Sequence, residues 1–134
     1  MPHDALNLAN ALNFTGRHKE VISVLREQIP KARGALGADA HVVLLLEGAY
    51  TCGLYNDDGS SREELIEAVA IAEKVVARSR RVLGTSHPHT IELQKNLKSA
   101  RSKLIAFDAS AKFAAALAAA AAQEKDQNAA DAPP

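Results

Sequence analysis

The stretch Arg81-Val82-Leu83-Gly84-Thr85-Ser86-His87-Pro88 decides the fold, because it echoes Arg33-Gly34-Ala35-Leu36-Gly37-Ala38-Asp39-Ala40-His41 earlier in the chain. The two Leu-Gly pairs stand 47 residues apart. A second echo sets Gly16-Arg17-His18-Lys19-Glu20-Val21 against Gly59-Ser60-Ser61-Arg62-Glu63-Glu64-Leu65, lengthened around Asn56-Asp57-Asp58-Gly59. The natural period is therefore about 43 residues, within the range of repeat architectures whose units cannot bury their apolar faces alone.

Between these marks the apolar spacing is helical. Leu65, Val69, Ala72, Val76, Ser79 and Leu83 fall three or four apart, as do Leu93, Leu97, Ala100, Leu104 and Phe107, and Val21, Val24, Leu25, Gln28 and Ile29. Each set makes one stripe on a helix, and no segment alternates with period two. The spacing predicts helices over 3–14, 17–36, 39–55, 61–83 and 87–107. Pro30 lies inside the second and is expected to kink it by removing a hydrogen bond. Ser60 or Ser61 ahead of Glu63 and Glu64 suits an N-cap, Gly37 and Gly84 suit helix C-caps, and Pro88 suits a first turn. Small Ala9, Gly48, Ala49 and Ala100 let helix pairs approach, while Leu8, Leu12, Leu25, Leu45, Leu65, Val69, Leu97 and Leu104 are the expected core.

The chain has 134 residues, enough for one repeat domain, here placed at 3–108. Residues 109–125 form an Ala-rich helical extension of high helix propensity and little bulk, and 126–134 read as a disordered tail. Sixteen basic residues balance sixteen acidic ones, so no global positive field favours nucleic acid or an anionic membrane. One Cys excludes an intrachain disulfide and points to a reducing compartment, taken as the cytoplasm. The apolar run from Phe113 to Ala122 covers about half the ~20 residues of a spanning helix, and alanine is weakly hydrophobic, so no membrane partner is expected.

Three fragments carry a family resemblance. Asn7-Leu8-Ala9 with Leu12 and Gly16-Arg17-His18, the junction Val82-Leu83-Gly84-Thr85-Ser86-His87-Pro88-His89-Thr90, and Asn96-Leu97 eight residues after Pro88 resemble tetratricopeptide repeats of the kinesin light chain type. The resemblance covers about residues 3–107. Leu12 stands where the family has an aromatic and Val21 where it has a small residue, and the middle repeat lacks both Asn-Leu and His-Pro. It implies an all-α, helical-hairpin solenoid of about two and a half repeats with an Ala-rich C-terminal helix. It also implies a non-catalytic protein-interaction scaffold that binds a peptide or helix in a concave groove lined by the first helix of each repeat. Asn7, Asn10, Lys95, Asn96 and Ser99 are the side chains expected to face that groove, Asn because its amide offers both donors and an acceptor.

Other constellations point to structure rather than chemistry. His41, His87, His89 and Cys52 contain zinc-ligand types, but the proline between two histidines matches a repeat junction and no paired Cys motif accompanies them, so no metal is expected. Cys52 lacks a companion base and reads as a small core side chain. Asp57-Asp58-Gly59 lacks the remaining ligands of a calcium loop and reads as an exposed turn. Arg78, Arg80 and Arg81 read as a solvated helix face. No catalytic residue and no cofactor site is assigned. Rival expectations are a regulatory C-terminal fragment of a larger repeat-containing enzyme and a self-associating helical bundle. Self-association through a truncated first repeat follows from the apolar edge of Leu6, Leu8 and Leu12.

Overall fold

The computed structural model describes residues 2–130, which form α1 (Pro2–Phe14), α2 (His18–Leu36), α3 (His41–Asn56), α4 (Arg62–Val82) and α5 (Pro88–Ala130), with no strand among the described residues. This is an all-α, tetratricopeptide-like helical repeat fold. The first four helices begin and end within two residues of the bounds read from the apolar spacing. The fifth runs on past residue 107 to Ala130, through the whole Ala-rich segment and into the tail; residues 131–134 lie outside the described residues. Helix α2 continues through Pro30, whose ring is exposed. The chain divides into two units, Met1–Leu104 and Ile105–Pro134.

Within the first unit, α3 is apolar nearly all round, and such a helix must be covered on most sides. It packs against α1, α2 and α4, and α1 packs against α2. Val43, Leu44, Leu46 and Leu54 are fully buried. Two glycines set how closely its neighbours come. A Cβ on Gly48 would lie 2.6 Å from Leu93 Cδ2 of α5, and one on Gly53 would lie 3.2 Å from Val21 Cγ1 of α2. The larger core cluster joins Ala9, Leu12, Val21, Leu25, Val43, Leu46, Tyr50, Leu54 and Ala68, placing Leu25 beside the first helix of the second repeat, while a smaller one joins Leu44, Val75, Val76 and Leu93.

Local signals in the sequence explain the helix ends. Ser61, not Ser60, caps α4: its hydroxyl accepts from Glu64 N–H at 3.1 Å, and Glu64 Oε1 accepts from Ser61 N–H at 3.2 Å. Ser60 is buried in the turn, donating to the Leu54 carbonyl at 2.6 Å. Gly84 takes φ +93° and Gly37 takes φ +90°, conformations that side chains with a Cβ rarely adopt. Asp57 accepts from Gly59 N–H at 3.2 Å in an exposed turn.

Two expectations about side chains need correction. Leu8 is 48% exposed, at the edge of the face of α1 that buries Ala5, Ala9 and Leu12, and Leu45, Val69, Leu97 and Leu104 are only half-buried. Of the three arginines near the end of α4, Arg80 and Arg81 are exposed as a solvated face requires, but Arg78 is half-buried, and each of the three also pairs with a residue outside α4. Arg78 Nη1 donates to Glu47 Oε2 at 3.0 Å, Arg81 Nη2 donates to both Asp39 oxygens at 2.9 Å, and Arg80 donates to Gln94 of α5 with that amide turned to present its oxygen. Glu47 is 2% exposed, and its other oxygen accepts from Arg33 of α2. A carboxylate buried on α3 thus ties α2 and α4 to it, and Ser79 and Thr90, both buried, share a 2.6 Å hydrogen bond between α4 and α5.

In the second unit, residues 105–130 are helical and nearly all exposed, including Ile105, Phe113 and Leu117. An 18-residue window of α5 has mean hydropathy 1.5, so by length and composition alone this helix could cross a membrane. Asp108 and Lys112 interrupt the apolar stretch, and most of its remaining residues are alanine.

Removing one partner of a buried carboxylate leaves charge that water cannot reach. Arg78→Met should therefore lower the unfolding free energy by about 3 kcal/mol, and adding Glu47→Met to that variant should restore a large part of the loss. Urea denaturation followed by circular dichroism checks both.

Candidate functional site

The first helices of successive repeats, α1, α3 and α5, line a groove of about 500 Å³. Leu6, Asn10, Asn13 and Phe14 come from α1, Leu45, Gly48, Ala49, Cys52 and Asn56 from α3, and His89, Glu92, Leu93 and Asn96 from α5. On each helix these positions recur three or four apart, so each presents one continuous face. The second helices α2 and α4 contribute none of them, and the groove lies where they leave α3 uncovered.

Leu6, Leu45, Ala49 and Leu93 give the groove apolar contact surface, and asparagines give it hydrogen-bonding groups. Asn13 Nδ2 donates to the Ala49 carbonyl at 3.1 Å, fixing α1 against α3, while its Oδ1 lies 3.0 Å from His18 Nδ1. Tyr55 donates to Asn96 Oδ1 at 3.2 Å, fixing α5 against α3, and its hydroxyl lies 3.3 Å from Cys52 Sγ. Burial pushes the Tyr55 phenol up, with Cys52 adding to the shift and Ser99 and Asn56 opposing it. Burial likewise pushes the Cys52 thiol up, offset in part by Tyr55 and reinforced by the nearby Glu92 carboxylate. Both groups are thus held neutral at physiological pH, as hydrogen-bonding rather than nucleophilic groups.

Of the five side chains expected at the groove, Asn10 and Asn96 line it. Asn96 is buried on its floor and Asn10 is exposed. Ser99 is exposed and close to the Tyr55 hydroxyl, and it does not line the groove. Asn7 and Lys95 are exposed and do not line the groove. Sequence reasoning missed Asn13, Cys52, Asn56 and Glu92, and Cys52 is a half-buried groove residue rather than a core one. Stepping three or four residues from Asn10 and Asn96 would have reached Asn13 and Glu92. On α3 no Asn-Leu pair marks the starting point.

Three histidines gather at the start of α3 and α5. Ring centroids lie 5.6 Å apart for His41 and His87, 4.6 Å for His41 and His89, and 5.1 Å for His87 and His89. His41 Nε2 contacts His89 Nδ1, and His89 N–H donates to His87 Nδ1 at 3.1 Å. Cys52 does not join them, and among the described residues no three His, Cys, Asp or Glu side chains are arranged to hold a metal ion. Burial, then the neighbouring His89 and His87, hold His41 below the ordinary imidazole value.

A tetratricopeptide repeat family model matches residues 60–89, the segment that contains α4 and the Leu83-Gly84 to His87-Pro88 junction. The match supports a tetratricopeptide repeat protein. Repeats of this family are generally protein-interaction modules and typically non-catalytic. No curated protein and no solved structure matches the chain.

The histidine cluster has a consequence for stability. Below the ordinary imidazole pKa of about 6.5 the unfolded chain takes up a proton that folded His41 still refuses, so stability falls as pH drops through that value. The melting temperature should fall more between pH 7.5 and 5.5 for the native protein than for His41→Gln, as differential scanning calorimetry at both pH values would show.

Proposed function

We propose that the chain is a non-catalytic scaffold that binds a peptide or helix of another protein in the groove of α1, α3 and α5. One observation carries this reading: the groove combines leucines with side-chain amides on three parallel faces, and an extended peptide needs apolar pockets plus main-chain hydrogen bonds. The neutral thiol and phenol beside it supply no nucleophile, which fits binding without catalysis. The close match of the Leu83-Gly84 to His87-Pro88 junction supports repeats of the kinesin light chain type. The single cysteine supports a cytoplasmic protein, and the balanced charge supports the absence of a nucleic-acid partner and of electrostatic attraction to an anionic membrane surface.

Peptides selected against the immobilised protein from a display library provide the test. Asn10→Ala should weaken a selected peptide by about 1 kcal/mol, the value of one lost hydrogen bond. Asn7→Ala, next along α1 from the lining residue Leu6, should leave the affinity within error, and both variants should keep native helicity. Titration calorimetry and circular dichroism measure these outcomes. Equal affinities for Asn10→Ala and the native protein would move the binding surface out of the groove.

A further inference from the structure

The groove has a charge character of its own. Among its lining side chains Glu92 is the one carboxylate, and no Lys or Arg lines it. Lys95, one turn further along α5, is exposed and stays outside the lining. Glu92 forms no ion pair among the described residues, whereas the other glutamates of the first unit that face neighbouring elements, Glu47, Glu64, Glu67 and Glu73, all pair with arginines. Glu92 is exposed at the groove wall, near enough for its carboxylate to help raise the Cys52 thiol across the groove. It stands beside Leu93 and one turn from Asn96 and His89.

Resting on the groove reading above, we infer that the partner is an extended peptide carrying a Lys or Arg flanked by apolar residues, with the basic side chain received by Glu92. The charge is complementary, and among the described residues Glu92 forms no ion pair that a partner's cation would have to displace. A long basic side chain suits the place in a second way. Its methylene stem can lie along Leu45 and Leu93 while its head reaches Glu92, leaving flanking apolar residues for Leu6 and the 93% exposed ring of Phe14. Asn10 is available for the peptide main chain. An acidic peptide meets the opposite situation: its carboxylate would sit against Glu92 with no groove cation to offset it, and like charges brought together select against a partner.

The test uses the full chain labelled with nitrogen-15 and two acetylated, amidated peptides, Ser-Leu-Lys-Leu-Ser and its twin with Glu in place of Lys. Titrations are followed by amide chemical shifts at pH 8, where histidine is neutral. The Lys peptide should shift the amides of Asn10, Gly48, Glu92 and Asn96 and bind about fivefold more tightly than the Glu peptide at low salt. The preference should shrink in high salt, where exposed charges are screened. Glu92→Lys should invert it and Glu92→Gln should abolish it, with circular dichroism confirming that both variants fold. Groove amides that respond equally to both peptides would overturn the inference and leave the groove reading standing, as would a Lys preference that survives Glu92→Lys. Shifts confined to another face, or no groove shift with either peptide at millimolar concentration, would overturn both.

Discussion

Helix α3 is too apolar to stand alone, and the rest of the first unit follows from covering it. Eleven of its sixteen residues are buried. Satisfying that demand takes neighbours on most sides, with Gly53 letting α2 approach and Gly48 letting α5 approach. It also buries Glu47, and a carboxylate in that position is tolerable only because Arg33 and Arg78 arrive from the two flanking second helices. The ion triad is thus a consequence of the burial it sits in, and it also fixes how α2 and α4 meet α3.

The groove is what this arrangement leaves open. Where α2 and α4 do not reach, α3 shows Leu45, Gly48, Ala49, Cys52 and Asn56 between the walls of α1 and α5. The walls are held by amides and a phenol rather than by charge: Asn13 to the Ala49 carbonyl on one side, Tyr55 to Asn96 on the other. Among the described residues Glu47, Glu64, Glu67 and Glu73 pair with arginines of other elements while Glu92 at the groove forms no ion pair, so the one carboxylate of the site comes from α5 while its shape comes from three helices.

Much of this was legible in the sequence. The three-and-four spacing of Leu65, Val69, Ala72 and Val76, and of its counterparts, located the first four helices because burial of one stripe is a local, periodic demand. Gly37, Gly84, Ser61 and Pro88 located their ends because capping needs particular residue types at particular positions. The site was less legible. Asn10 and Asn96 were found through the repeat pattern, but Asn7, Lys95 and Ser99 are polar residues of the same two helices and do not line the groove, since the rotation of a helix about its axis decides which neighbour faces inward.

The sequence by itself determined that the chain folds into repeated pairs of helices, because periodicity and caps act within one helix or one turn. Only the tertiary structure decided that Glu47 is buried between two arginines, that Arg78, Arg80 and Arg81 reach α3, α5 and the α2–α3 loop respectively, and that His41 meets His87 and His89. Those partners lie 14 to 48 residues apart along the chain. The physical reason is that electrostatic and hydrogen-bond pairing depends on distances of a few ångströms, which stacking of the repeats sets and local spacing does not encode.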